Sequence, residues 1–302
     1  MRIAMKTSKC KHWLAAMLTV WCGLAALPAA AQDYSKSEIQ EIARELRFTD
    51  GIAWSPAGYL VFSDVPNNRI FRYVPGGKAT LARDHSNGAA GNAYDKNGVL
   101  YTAESAARRI TQTQGETLTT LASKWEGKAF NGPNDIAVRR NGEVFFSDAA
   151  YGSARKTREI AHNGVYRITA KGEVALVKAF ETRVNGLAFS PDDNTLYVTD
   201  TDRRLVLAID LNGRGEAKDV REFVAIPDAI PAGLCVDKRG SVYVAAGTIR
   251  IFDKDARELG RFNVNGEATD CVFGEADGKA LFVTARSRVY RLQNPVEGLL
   301  PH

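Results

Sequence analysis

The feature that most constrains this chain is a motif repeated six times. Each copy has a small or polar residue, an apolar run, a tight-turn signal and a second strand-like run that mostly ends polar. The copies read DGIAWSPAGYLVFSD from Asp50, AGNAYDKNGVLYTAE from Ala90, NDIAVRRNGEVFFSD from Asn134, NGLAFSPDDNTLYVTD from Asn185, AGLCVDKRGSVYVAA from Ala232 and TDCVFGEADGKALFVTA from Thr269. Their starts lie 40, 44, 51, 47 and 37 residues apart. The turns (Gly58, Asn97-Gly98, Asn141-Gly142, Asp193-Asn194, Arg239-Gly240, Asp277-Gly278) supply residues that tolerate positive φ, so each copy predicts a hairpin. Further strand-like runs follow most copies, as in Arg69–Tyr73, Gly164–Ile168, Thr248–Phe252 and Arg288–Leu292. About four strands in each repeat of roughly 40 residues predict an all-β, six-bladed propeller. A sandwich would not require the same positional pattern in successive hairpins. Ser37–Leu46, with Ile39, Ile42 and Leu46 at helical spacing behind a serine cap, predicts a short N-terminal helix.

Charge does not point to a nucleic-acid or membrane partner. The chain of 302 residues has a formal net charge of +5. Arg2, Lys6, Lys9 and Lys11 lie in the first 31 residues with no acid, leaving 40 − 4 = 36 basic against 35 acidic side chains beyond them. That first stretch runs from basic residues through an apolar segment, Trp13 to Leu27, to Ala29-Ala30-Ala31. This is the three-part pattern of a cleaved secretory signal, and the apolar run is shorter than the roughly 20 residues that span a bilayer. The expectation is a periplasmic or secreted protein with residues 1–31 removed and 32–302 forming one domain. Cys235 and Cys271 then remain, expected as buried thiols, with one disulfide between them the alternative.

In a propeller the starts of the innermost strands converge around a central channel. The first repeat position reads Asp50, Ala90, Asn134, Asn185, Ala232 and Thr269. This register offers oxygen ligands only, which suits a hard divalent cation. The alternative is that Asn and Asp merely begin strands as turn residues. The acids that end second strands (Asp64, Glu104, Asp148, Asp200) form another repeated set, expected to bond backbone amides between blades. His85, His162 and His302 occupy no register position, and no nucleophile elbow or phosphate-cradling loop is present. Asp95-Lys96-Asn97-Gly98 reads as a hairpin turn.

The register copies, with FSDVPNNRIFRY (Phe62–Tyr73), EGKAFNGPNDIAV (Glu126–Val138) and FFSDAAYG (Phe145–Gly152), closely resemble the SMP-30/gluconolactonase/LRE family. The similarity runs over about residues 45 to 292. It implies a six-bladed propeller that binds a divalent metal in its channel and hydrolyses lactones or related small esters. Carried over position by position, it implies Asp50 (Glu in the family), Asn134 and Asn185 as metal ligands, with Asn134 also contacting substrate. Ca²⁺ is the first choice of metal, with Mg²⁺, Mn²⁺ or Zn²⁺ as alternatives. The fourth family ligand, an Asp also assigned to catalysis, is replaced by Ala232. Asp135 and Asp270, at the second register position, are the acid–base candidates, and Asp228 is a third acid in reach by sequence. The expected partner is a small-molecule substrate. A non-catalytic propeller binding a small polar ligand or an exported protein is the alternative, because of Ala232.

Overall fold

A computed structural model describes residue 34, residues 37–151 and residues 154–301. The predicted leader and His302 lie outside the described residues. Each repeat forms a four-stranded antiparallel sheet, and six such sheets surround a channel. Blade 1 comprises Thr49–Ser55, Tyr59–Asp64, Arg69–Tyr73 and Thr80–Arg83, and the next four blades follow in the same order. Every predicted hairpin turn holds a residue at positive φ: Gly58, Gly98, Gly142, Asp193, Gly240 and Gly278.

The predicted N-terminal helix is instead a strand. Ile39–Ala43 pairs antiparallel with Arg288–Gln293, with Ile39 opposite Leu292 and Glu41 opposite Tyr290. It supplies the outer strand of blade 6, whose other three strands come from the C-terminal end. The physical reason is long-range. The apolar spacing fits a helix, but a last blade with three strands leaves open backbone donors and acceptors, and this segment satisfies them.

The core is distributed between the blades. The buried apolar residues fall into six clusters, one at each interface between neighbouring blades. Alternate residues of one strand point to opposite neighbours. Phe145 packs toward blade 4, in van der Waals reach of Phe189 with ring centroids 5.1 Å apart, whereas Phe146 packs toward blade 2. Likewise Val242 and Val244 face blade 4, while Tyr243 and Ala245 face blade 6. This explains why the second strands read as nearly continuous apolar runs. Blades 1 and 6 meet through Trp54 stacked on Phe282 at 5.5 Å.

The acids that end the second strands anchor the loops at the channel mouth. Asp64 accepts the Arg47 and Phe48 amides, and Asp148 accepts those of Asn131 and Gly132 at 2.8 and 2.7 Å. Asp200 accepts the Arg203 amide at 2.9 Å and the Thr182 hydroxyl at 2.7 Å. Glu104 departs from the pattern, binding Arg83 and Arg109. Asp95 accepts the Asn97 and Val99 amides, as a hairpin turn requires. Among the described residues no helix is long and apolar enough to cross a membrane.

Candidate functional site

The inner strands enter the channel through irregular backbone. The register of pairing slips between Asp50 and Ala53, Pro133 and Ile136, and Val184 and Leu187. Such bulges re-aim side chains. Hydroxyls on the second strands satisfy the displaced amides: Ser147 Oγ accepts the Asp135 N–H at 3.0 Å, and Thr199 Oγ1 accepts the Gly186 N–H at 2.7 Å. The first register residues Asp50, Asn134, Asn185 and Ala232 are half-buried, whereas Ala90 and Thr269 are fully buried.

Asn134 lines an upper cleft of about 370 Å³ with Val65, Asn68, Ser105 and Tyr151. Tyr151, which the sequence reading did not single out, ties this mouth together. Its hydroxyl meets the Val184 carbonyl oxygen at 3.4 Å and Thr201 Oγ1 at 3.3 Å, and the Arg183 guanidinium lies over its ring at 5.1 Å. Val184 immediately precedes Asn185, and Thr201 Oγ1 donates in turn to the carbonyl oxygen of Pro231, beside Ala232. Burial, with a contribution from the Asp50 charge, pushes the Tyr151 phenol up to about 12. Its place three residues after Asp148, within FFSDAAYG, was the available sequence signal.

Neither the Asn134 nor the Asn185 carboxamide hydrogen-bonds another described group, and the Asp50 carboxylate is met only by the Gly51 amide. Burial and the nearby Asp135 charge raise Asp50 to about 7. Among the described residues no three His, Cys, Asp or Glu side chains assemble in metal-binding geometry. The oxygens available are instead those of two unengaged carboxamides and of one carboxylate met by a single amide, a set that fits a hard divalent cation rather than Zn²⁺.

Asp135 and Asp270 lie one residue deeper, on opposite sides of the ring formed with Gly51, Gly91, Gly186 and Gly233. Each lies where a Cβ on the preceding blade's glycine would collide with it: Gly91 against Asp135 and Gly233 against Asp270. Each also reaches the next blade. Asp135 Oδ2 accepts the Leu187 amide at 2.7 Å, and Asp270 Oδ2 accepts the Ile52 amide at 3.0 Å. Burial raises Asp135 to about 7 despite the Leu187 and Ile136 amides. Burial and the charges of Asp135 and Asp50 raise Asp270 well above the ordinary carboxylate range. The three acids therefore sense one another electrostatically. Both deeper acids also line a lower chamber of about 160 Å³, walled by Trp54, Tyr94 and Phe189 and flanked by Leu299–Pro301; it shares no lining residue with the upper cleft.

Two other candidates fall outside. Asp228 does not reach the channel; it is exposed and pairs with Arg250 at 2.8 Å. His162 hydrogen-bonds Tyr166 at 3.1 Å beside Trp125, and His85 is exposed.

The SMP-30/Gluconolactonase/LRE-like region matches residues 35–287. A gluconolactonase of Zymomonas mobilis is 30% identical over 293 residues, covering 86% of this chain and 82% of that protein. The solved gluconolactonase of Xanthomonas campestris superposes with a TM-score of 0.83 at 30% identity, covering 89% of this chain and 94% of the other. A calcium-binding regucalcin of Agrobacterium tumefaciens shares the fold, with a TM-score of 0.72 at 21% identity over 85% of this chain and 93% of its own. With its six blades and the matched span from residue 35 to 287, the chain belongs to the SMP-30/gluconolactonase/LRE family, in which lactone hydrolysis is a family role.

Proposed function

We propose that this protein is an exported, metal-dependent hydrolase of a sugar lactone or related small ester, with residues 32–302 as one propeller domain working after removal of residues 1–31. The observation that carries the reading is that the Asn134 and Asn185 carboxamides bond no other described group and the Asp50 carboxylate is met only by the neighbouring Gly51 amide. These three side chains would hold the cation, and Ca²⁺ is the first candidate because the donors are hard oxygens and a relative of the same fold is calcium-binding. When bound, the ion supplies Lewis-acid polarisation of the lactone carbonyl.

The chain's own groups supply the rest. Asn134, on the wall of the upper cleft, contacts substrate. Asp135 is the acid–base group: raised to about 7, it can accept a proton from water near neutral pH and return it to the departing oxygen of the opened ring. Asp270, which lines the same chamber and likewise bonds the next blade's amide, is the second acid–base candidate and also holds blade 6 to blade 1.

A second reading, a propeller that binds a small polar ligand or an exported protein without turnover, is favoured by Ala232, which leaves Asp50 as the one carboxylate of the ligand set. Calorimetric titration of Ca²⁺, Mg²⁺, Mn²⁺ and Zn²⁺ into metal-stripped protein separates the readings. The enzyme reading expects one saturable site in the wild type, lost in Asn185→Ala. No binding of any of the four ions would favour the second reading.

A further inference from the structure

The lower chamber holds a pair of buried thiols that hydrolysis does not use. Cys235, on the inner strand of blade 5, and Cys271, on the inner strand of blade 6, are both buried, and their Sγ atoms lie 2.7 Å apart. Both line the chamber, and both belong to the apolar cluster between these two blades, with Phe273 and Val283. The other polar contact of Cys271 Sγ is weak, to the Tyr243 carbonyl oxygen at 3.6 Å. Thiols are poor hydrogen-bond partners, so mutual hydrogen bonding does not account for two sulfurs held this close in an apolar wall. The two residues are free thiols in the structure, but their Sγ atoms, on the inner strands of adjacent blades, are only a short approach from the roughly 2.05 Å of an S–S bond.

We propose that Cys235 and Cys271 close to a disulfide that covalently joins blade 5 to blade 6 along the channel wall. Each thiol loses its proton, the Sγ–Sγ bond forms, and two electrons pass to an external disulfide oxidant, which is reduced to two thiols. The bond forms before the blades shut. Burial pushes the Cys235 thiol well up, so the thiolate needed for exchange is suppressed in the folded chain. For the same reason the closed bond resists reductant until the protein unfolds.

Its position gives it a consequence for the mouth. The Cys271 amide donates to Asp270 Oδ1 at 2.7 Å, and Asp270 Oδ2 receives the Ile52 amide at 3.0 Å, two residues from Asp50. The bond therefore backs, from the blade 5 side, the strand whose Asp270 reaches blade 1, a seam also held by Trp54 stacked on Phe282 and by the pairing of Ile39–Ala43 with Arg288–Gln293. It encloses cysteines 36 residues apart in the chain.

The test is independent of where the protein resides and of whether it is a lactonase. Purified protein comprising residues 32–302, which form a compact unit of their own and hold two cysteines, is unfolded, reduced, refolded in a mixture of oxidised and reduced glutathione, unfolded again with an alkylating agent but no reductant, and digested for mass mapping. The expected result is a linked peptide pair containing Cys235 and Cys271, two hydrogens lighter than the sum of its parts. The thermal midpoint should stand about 5–10 °C above that of the same protein refolded fully reduced. Quantitative alkylation of both cysteines after oxidative refolding would overturn the proposal. Equal midpoints for linked and reduced protein would overturn its role as a brace. A Cys235→Ala/Cys271→Ala double variant should show no dependence on the redox buffer; if it does not fold, the comparison of linked with reduced wild type still decides.

Discussion

At the residue scale, the site is a problem of buried acids. Asp148 is the simplest case: fully buried at the end of its strand, it accepts two loop amides, yet desolvation outweighs them and raises it to about 6. In the unfolded chain the same carboxyl releases its proton near pH 4. Between about pH 4 and about pH 6 the folded protein therefore binds more protons, and this group's contribution to stability falls as pH rises through that window. Asp148→Asn has no proton to lose and one acceptor oxygen for two amides. We expect it to be less stable than wild type by about 1–3 kcal/mol at pH 7, with a wider gap at pH 4, as read from urea unfolding at both values. A gap that widens with rising pH would refute the assignment. At Ala232 the expectation runs the other way. Ala232→Asp restores a second carboxylate to the ligand set and should tighten Ca²⁺ binding by about tenfold or more in calorimetric titration. Unchanged affinity would mean that the residue 232 side chain does not reach the ion.

Elements were legible in the sequence where their signals were local, and misread where they were not. The six hairpins and their turn residues follow from spacing and from residues that accept positive φ, and the amide-binding roles of Asp64 and Asp148 follow from their repeated place. The apolar spacing of Ser37–Leu46 fits a helix, and nothing within it reveals the open edge of blade 6, some 250 residues away in the chain. Tyr151 sits after a repeat rather than within one, so the repeat pattern does not mark it. Asp228 is near Ala232 in sequence, but Arg250, distant in sequence, pairs with it at the surface. The strand that closes blade 6 carries a prediction at this scale. Removing residues 1–31 should leave the unfolding midpoint unchanged, whereas removing residues 1–43 should lower it by 10 °C or more and broaden the transition, because the edge of blade 6 is bared. Equal midpoints for the two truncations, by calorimetry, would show that the closing strand contributes nothing.

For the whole molecule, the arrangement is a ring with its core between the blades and its chemistry on the axis. Apolar packing at six interfaces holds the inner strands, the pairing of three of them slips just after Asp50, Pro133 and Val184, and Asp135 and Asp270 span the ring by bonding across blades. The family follows from the matched span and the relatives, in which lactone hydrolysis is a family role, and the carboxamides of Asn134 and Asn185, which bond no other described group, are the observation behind the proposed cation site. The most direct measurement is the initial rate of opening of glucono-1,5-lactone and other sugar lactones, above the spontaneous rate, by metal-stripped protein before and after addition of Ca²⁺, for wild type and Asn185→Ala. The account predicts catalysis by wild type that depends on the ion and falls at least tenfold in the variant. A wild-type rate equal to the spontaneous one with every cation, or a rate indifferent to Asn185, would contradict it.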